Sequence, residues 1–206
     1  MAFAKDRDLL ALEPRLFEEV PWLGQRLFSG DLTVVGTAAA GVGIDFMAAG
    51  VEAGMVVSVG GAGYEIASVV NNQTLAVSVL RADPAGALIP PLAASGPAVV
   101  TTFVPQLGVV HGQLLRRAGV EPGSAEAGAV TNGAGLALVE ALGALHLVYS
   151  AASASGQGAE GWAERSEMYR RRFAAERRRA RVLLDLDGDG EAEVERRLST
   201  AWFTRA

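Results

Sequence analysis

Apolar positions repeat with helical spacing at the two ends of this chain and with strand spacing between them. Over Asp6 to Val20 the residues Leu9, Leu10, Leu12, Leu16, Phe17 and Val20 form one broad apolar stripe, as an amphipathic helix requires. Pro14 falls inside that stripe, so either a helix starts there or two short helices meet. Residues 21–28 read as a further short helix or turn. From Asp31 to Val104 the period drops to two. Five β-branched runs (Leu32–Val35, Met55–Val59, Tyr64–Val70, Thr74–Val79 and Val99–Phe103) alternate with Gly, Asn, Asp and Pro. Gly60-Gly61-Ala62-Gly63 and Asn71-Asn72-Gln73 stand where hairpin turns belong, because Gly and Asn tolerate positive φ.

Helical spacing returns after Pro105. Leu107, Val110, Leu114 and Leu115 share a face over Gln106 to Ala118, and Gly119 is a stop signal. A short turn is expected at Ser124. The stretch Ala134 to Ala151 is apolar nearly all round, the pattern of a helix surrounded by others. Beyond a flexible link at 153–158, Trp162, Tyr169, Phe173 and Ala180 line one face of a long helix. Past Leu184 two glycines and three aspartates favour turns over helix.

These elements predict an α+β fold: a helical bundle with an inserted small antiparallel β-barrel or sandwich and an extended C-terminal tail. The implied organisation is an N-terminal helical part of the bundle (1–30), an inserted β domain (31–104), the bundle with its arginine-rich helix (105–182) and a docking tail (183–206).

Composition narrows the function classes. The 206 residues are 50% apolar and 20% charged, a globular balance, and the net charge of −5 argues against a nucleic-acid binder acting through its whole surface. Cysteine is absent, which removes disulfides and thiolate metal sites. The first residues enter charged sequence at once without an apolar signal core, so synthesis in the cytoplasm is expected. Glu140 and His146 interrupt the apolar run from Leu136 to Ala152, which therefore reads as a buried helix and not a membrane span.

The charge is segregated. Arg165, Arg170, Arg171, Arg172, Arg177, Arg178, Arg179 and Arg181 outnumber Glu160, Glu164, Glu167 and Glu176 around the last long helix. Such a face suits an acidic protein partner or solvent, and guanidinium forks also suit nucleic-acid phosphates. Next to it, Asp185, Asp187, Asp189 and Gly190 match the opening of an EF-hand-type calcium loop. The position where the closing Glu belongs is Arg196, a cation; Glu191, Glu193 and Glu195 are the other oxygen donors. The plain alternative is an acidic turn that pairs with nearby arginines and needs no cofactor. His111 and His146 have no Asp, Glu or Ser at a helical spacing that makes a triad or a two-His metal face, and both read as structural. Glu140, in an apolar helix, requires a partner. The glycines at 60–63 precede no helix, so they are a poor phosphate loop. Nothing in these patterns points to an enzyme. Trp202 and Phe203, near the end of a tail too short to build a core, read as docking anchors.

The stretches Asp8-Leu9-Leu10-Ala11-Leu12-Glu13-Pro14-Arg15-Leu16-Phe17, Ala144-Leu145-His146-Leu147-Val148-Tyr149, Glu167-Met168-Tyr169-Arg170-Arg171-Arg172-Phe173 and Asp185-Leu186-Asp187-Gly188-Asp189-Gly190, in that order, resemble the head-to-tail connector (adaptor) proteins of tailed bacteriophages and of phage-like gene transfer agents. Many such adaptors are wholly helical, so the β region is a departure that resembles inserts in some connectors. The resemblance implies a non-enzymatic virion protein made in the bacterial cytoplasm and located in the neck. There it would form a ring, commonly of twelve copies, beneath the portal protein and joined to the next neck or tail-completion protein. Arg170, Arg171, Arg177 and Arg178 would then face the portal or the DNA channel. A regulatory module that binds calcium through residues 185–195, or nucleic acid through the arginine helix, is the alternative from another class.

Overall fold

The computed structural model describes residues 2–156 and 161–199. It is α+β, with six helices and a closed six-stranded antiparallel barrel. The chain divides into two compact units, residues 5–104 and residues 2–4 with 105–199.

The first unit opens with α1 (Asp6–Leu12) and α2 (Leu16–Glu19), which meet around Pro14 as two short helices. A 3-10 turn at Pro21–Leu23 leads directly into β1 (Gln25–Val35). Residues 25–28 are therefore strand, where the sequence suggested helix or turn, and α1 and α2 belong to the unit that holds the barrel. The reason is visible in the register: β1 pairs with β6 (Ala94–Thr102) from Gln25↔Thr102 to Val34↔Ala94, with a bulge between Arg26 and Phe28 that hides the period of two.

The other staves are β2 (Ala38–Ala40), β3 (Val56–Val59), β4 (Ala62–Asn71) and β5 (Thr74–Ser78), in the barrel order β1-β2-β5-β4-β3-β6. Three alanines carry no strand signal, which is why β2 was not foreseen. The inward set is Leu32, Val34, Ala39, Phe46, Val57, Val59, Ile66, Leu75, Val77, Ala98 and Val100, all buried, while Thr33 and Val35 between them are exposed. That alternation is the two-residue period of the sequence made physical. Gly60 and Gly61 (φ 58° and 85°) turn β3 into β4 as two left-handed residues in succession. At the β4–β5 turn no residue takes positive φ; the Asn71 side chain instead accepts the Gln73 N–H at 2.9 Å.

In the second unit α3 (Val104–Arg117), a single turn α4 (Ala125–Gly128), α5 (Gly133–Ala154) and α6 (Trp162–Arg179) follow in order. α5 is apolar and long enough to cross a membrane by length and composition, yet over half of that window is buried, with Leu136, Val139, Leu142, Leu145, Val148 and Tyr149 inside. Tyr149 stacks on Tyr169 of α6, ring centroids 5.9 Å apart. After α6 the chain forms a hairpin, β7 (Arg181–Leu184) against β8 (Val194–Arg197), with Val182, Leu184 and Leu198 buried. Residues 181–197 are thus folded against this unit, where an extended segment from 183 onward was expected.

Candidate functional site

The candidate site is the end of the second unit where α6 passes into the hairpin. α6 ends at Arg179 because Ala180 turns extended (ψ 144°), and β7 starts at once. The outer side of β7 is held by residues 129–132: Thr131 N–H donates to the Leu183 carbonyl at 3.0 Å, Asp185 N–H to the Ala129 carbonyl at 2.9 Å, and Asn132 bridges the Arg181 carbonyl and the Leu183 N–H. On β8, Arg196 pairs with Val182 and sends Nη1 to the carbonyl oxygens of Ala118 and Gly119 at 2.8 and 3.0 Å. It satisfies the free carbonyls at the end of α3, where a cation is also favoured by the helix dipole.

That placement changes the reading of the acidic loop. Arg196 stands at the closing position of an EF-hand pattern but points away, toward α3. Glu193 takes its place: one carboxylate oxygen each from Asp185, Asp187, Asp189 and Glu193 lie within 4.8 Å of one another. The turn is built from the same carboxylates. Asp185 accepts N–H groups from Gly188 and Gly190 at 2.6 and 2.9 Å, Asp187 accepts from Asp189, Asp189 from Glu191, and Glu193 from Leu186. Gly188 and Gly190 take positive φ (82° and 93°), the conformation that lets the loop fold back on Asp185. Such a set of hard oxygen donors fits calcium chemistry.

The arginines of α6 do not form one uniform face. Arg170 and Arg171 both grip Glu167, at 2.6 and 2.8 Å from Arg170 and 2.7 Å from Arg171, and these bonds hold the Glu167 carboxyl down at about 2. Arg165 lies by Tyr149, Arg172 over Tyr169, and Arg179 pairs with Glu176 at 3.4 Å. Arg177 is different. Its guanidinium lies over the Phe173 ring at 5.3 Å, and its buried Nε has no hydrogen-bond partner. Burial, followed by the charges of Arg117 and Arg178, depresses its pKa. Arg178 is exposed beside it. Of the residues expected to bind a partner, Arg170 and Arg171 share the one carboxylate of Glu167, and Arg177 and Arg178 lie in a cluster dominated by positive charge. Trp202 and Phe203 lie outside the described residues, as does Glu160.

His146 acquires a partner and His111 a neighbouring carboxylate through tertiary contacts that no local spacing reveals. His146 Nδ1 lies 3.1 Å from the Ser166 hydroxyl and 3.2 Å from the Ser166 carbonyl oxygen, inside the α5–α6 seam. His111 Nδ1 lies 3.5 Å from Glu140 Oε2, which accepts the Phe3 N–H at 2.8 Å. The signal for the second cluster was the lone acid in an apolar helix. Nothing in the sequence pointed to Phe3.

No family model, curated protein or solved structure matches this chain.

Proposed function

We propose that the chain is a non-enzymatic head-to-tail connector of a tailed phage or gene transfer agent, forming a ring, commonly of twelve copies, between the portal protein and the next neck or tail-completion protein. Within this reading α3, α5 and α6 are the bundle, the barrel is its insertion, and the hairpin with the residues after it is the docking tail. The observation that carries it is the junction of α6 and the hairpin. There an arginine-rich helix outside and an aromatic face inside (Trp162, Tyr169) lead into a hairpin anchored by Arg196 and Leu198. This junction projects cationic side chains from a rigid base, as a docking element needs. The four sequence stretches that resemble connectors supply the particular partner class.

The test is cross-linking mass spectrometry on the native particle. Links from residues 161–199 to a portal ring and to a second neck protein are expected. Links only within the chain, or recovery without any capsid component, would overturn the connector reading.

A second reading has its own observation, the four convergent carboxylates of residues 185–193. It is a calcium-stabilised module, in which the cation ties β7 to β8. Calcium at 100 times its dissociation constant would stabilise the fold by about 2.7 kcal/mol. A melting temperature that rises with calcium in the native chain and not in Asp187→Ala supports it; an unchanged melting temperature in the native chain removes it.

A further inference from the structure

We propose that Arg117, Arg177 and Arg178 together form a binding site for backbone phosphates of duplex DNA. The inference deepens the DNA contact named for the connector and rests on that reading for the source of the DNA; the site itself is argued from geometry.

The ends of two helices converge here. α6 runs antiparallel to α5, since Arg165 meets Tyr149 near the end of α5, whereas the strand that follows α6 meets Asn132 just before its start. α3 ends at the same place, because Arg196, paired with Val182 just beyond α6, reaches the Ala118 and Gly119 carbonyls. Gly143 allows the close approach: Val110 of α3 and Phe173 of α6 both press on it, so near that an added Cβ would stand 2.7 and 3.0 Å from them. Arg117 lies two turns beyond Val110 and Arg177 one turn beyond Phe173.

Charge balance distinguishes this cluster from the arginines that pair with acids or carbonyls. Arg170 and Arg171 share the carboxylate of Glu167, Arg179 has that of Glu176, Arg181 has Glu195 at 2.6 Å, and Arg196 has two carbonyls. The charged groups that act on Arg177 are both cations, and its buried Nε lacks an acceptor. Stacking on Phe173 fixes the guanidinium plane before any ligand arrives, so less rotamer entropy is lost on binding. A lone carboxylate neutralises one guanidinium. A phosphodiester strand presents a succession of oxyanions, each able to accept from more than one fork, and so matches cations spread over two helix ends.

The test uses the full chain and a fluorescent duplex of about twenty base pairs, with affinity followed by anisotropy as salt is raised from about 50 to 200 mM. Binding is expected, and the slope of log affinity against log salt should fall by about one in each of R117Q, R177Q and R178Q. R15Q, an exposed arginine of the barrel unit that is no part of this cluster, should leave the slope unchanged. R117Q guards against a folding artefact, since Arg117 is exposed at the last position of α3 and its loss disturbs no packing. Any of three results overturns the proposal: no duplex binding at the lowest salt, a slope change in R15Q equal to that in R177Q, or capture of polyglutamate with none of DNA. The last would assign the cluster to an acidic protein. Because the assay needs neither portal nor ring, its failure leaves the connector reading standing, and failure of the cross-linking test leaves the phosphate site standing.

Discussion

Glu140 Oε2 accepts the backbone N–H of Phe3 at 2.8 Å across 137 positions of sequence, and the Glu140 side chain has no solvent exposure. The Phe3 ring packs edge-on against His111 with centroids 4.5 Å apart, so the amide and the ring of one residue are both held. Loss of the acceptor in Glu140→Ala leaves a buried N–H without a partner and a cavity beside His111. The expected destabilisation is about 2–4 kcal/mol. Hydrogen exchange checks it directly: the Phe3 amide should be protected in the native chain and exchange freely in the variant.

Gly143 supports a second prediction. An alanine Cβ there meets Val110 and Phe173 side chains at 2.7 and 3.0 Å, and both are fixed by packing. Gly143→Ala should lower stability by about 1–3 kcal/mol through overpacking, despite alanine's better helix propensity, as read from the denaturant midpoint.

In the barrel unit, Glu65 is 1% exposed and receives the Nε–H of both Arg7, at 2.7 Å, and Arg81. Arg7 also donates to the Arg81 carbonyl, and Arg81 Nη1 to the Gly86 carbonyl at 2.7 Å, which pins α1 and the segment after β5 to β4. Glu65→Ala strands two largely buried cations and should cost about 3–5 kcal/mol in urea unfolding. Substitution of all three by apolar residues of similar size should recover most of that loss.

Asp6 gives a dependence on pH. Burial raises its carboxyl from 3.8 to about 6, only partly offset by the Thr102 hydroxyl and by the Phe103 N–H, which it accepts at 2.8 Å. The folded state therefore holds this proton more tightly than the unfolded chain. Its contribution is complete below pH 4 and is lost as pH rises through 6, a decline of about 3 kcal/mol. Asp6→Asn keeps the acceptor for Phe103 and should flatten the stability curve over that window. An unchanged slope between pH 4 and 7 would show that another group titrates there.

The barrel was legible where side-chain period and turn chemistry agreed. Leu32 and Val34 alternate with exposed neighbours, and Gly60-Gly61 makes the turn that two left-handed residues allow. It was not legible where a bulge broke the alternation at Arg26–Phe28 or where alanines gave no pattern at 38–40. At the candidate site, the clustering of the acids was readable from spacing alone, because the carboxylates are local in sequence. The roles of Arg196 and Arg177 were not, since one is decided by the end of α3 and the other by the Phe173 ring and Arg117. The pairing of Arg170 and Arg171 with Glu167 is local to the helix, whereas the setting of Arg177 depends also on Arg117 of another helix.

The barrel closes through β2, whose three alanines link Thr33–Val35 on one side to Thr74–Ala76 on the other. Only Ala39 points inward, and alanine is the smallest residue type in the core. Separation of this stave exposes little apolar surface, whereas parting β1 from β6 breaks a ladder of nine paired positions and uncovers Val100 and Leu32. The cylinder therefore has a seam. Its amides should exchange first, and its opening converts a shape without edges into a five-stranded sheet with two, so the shortest element governs whether this unit meets other strands.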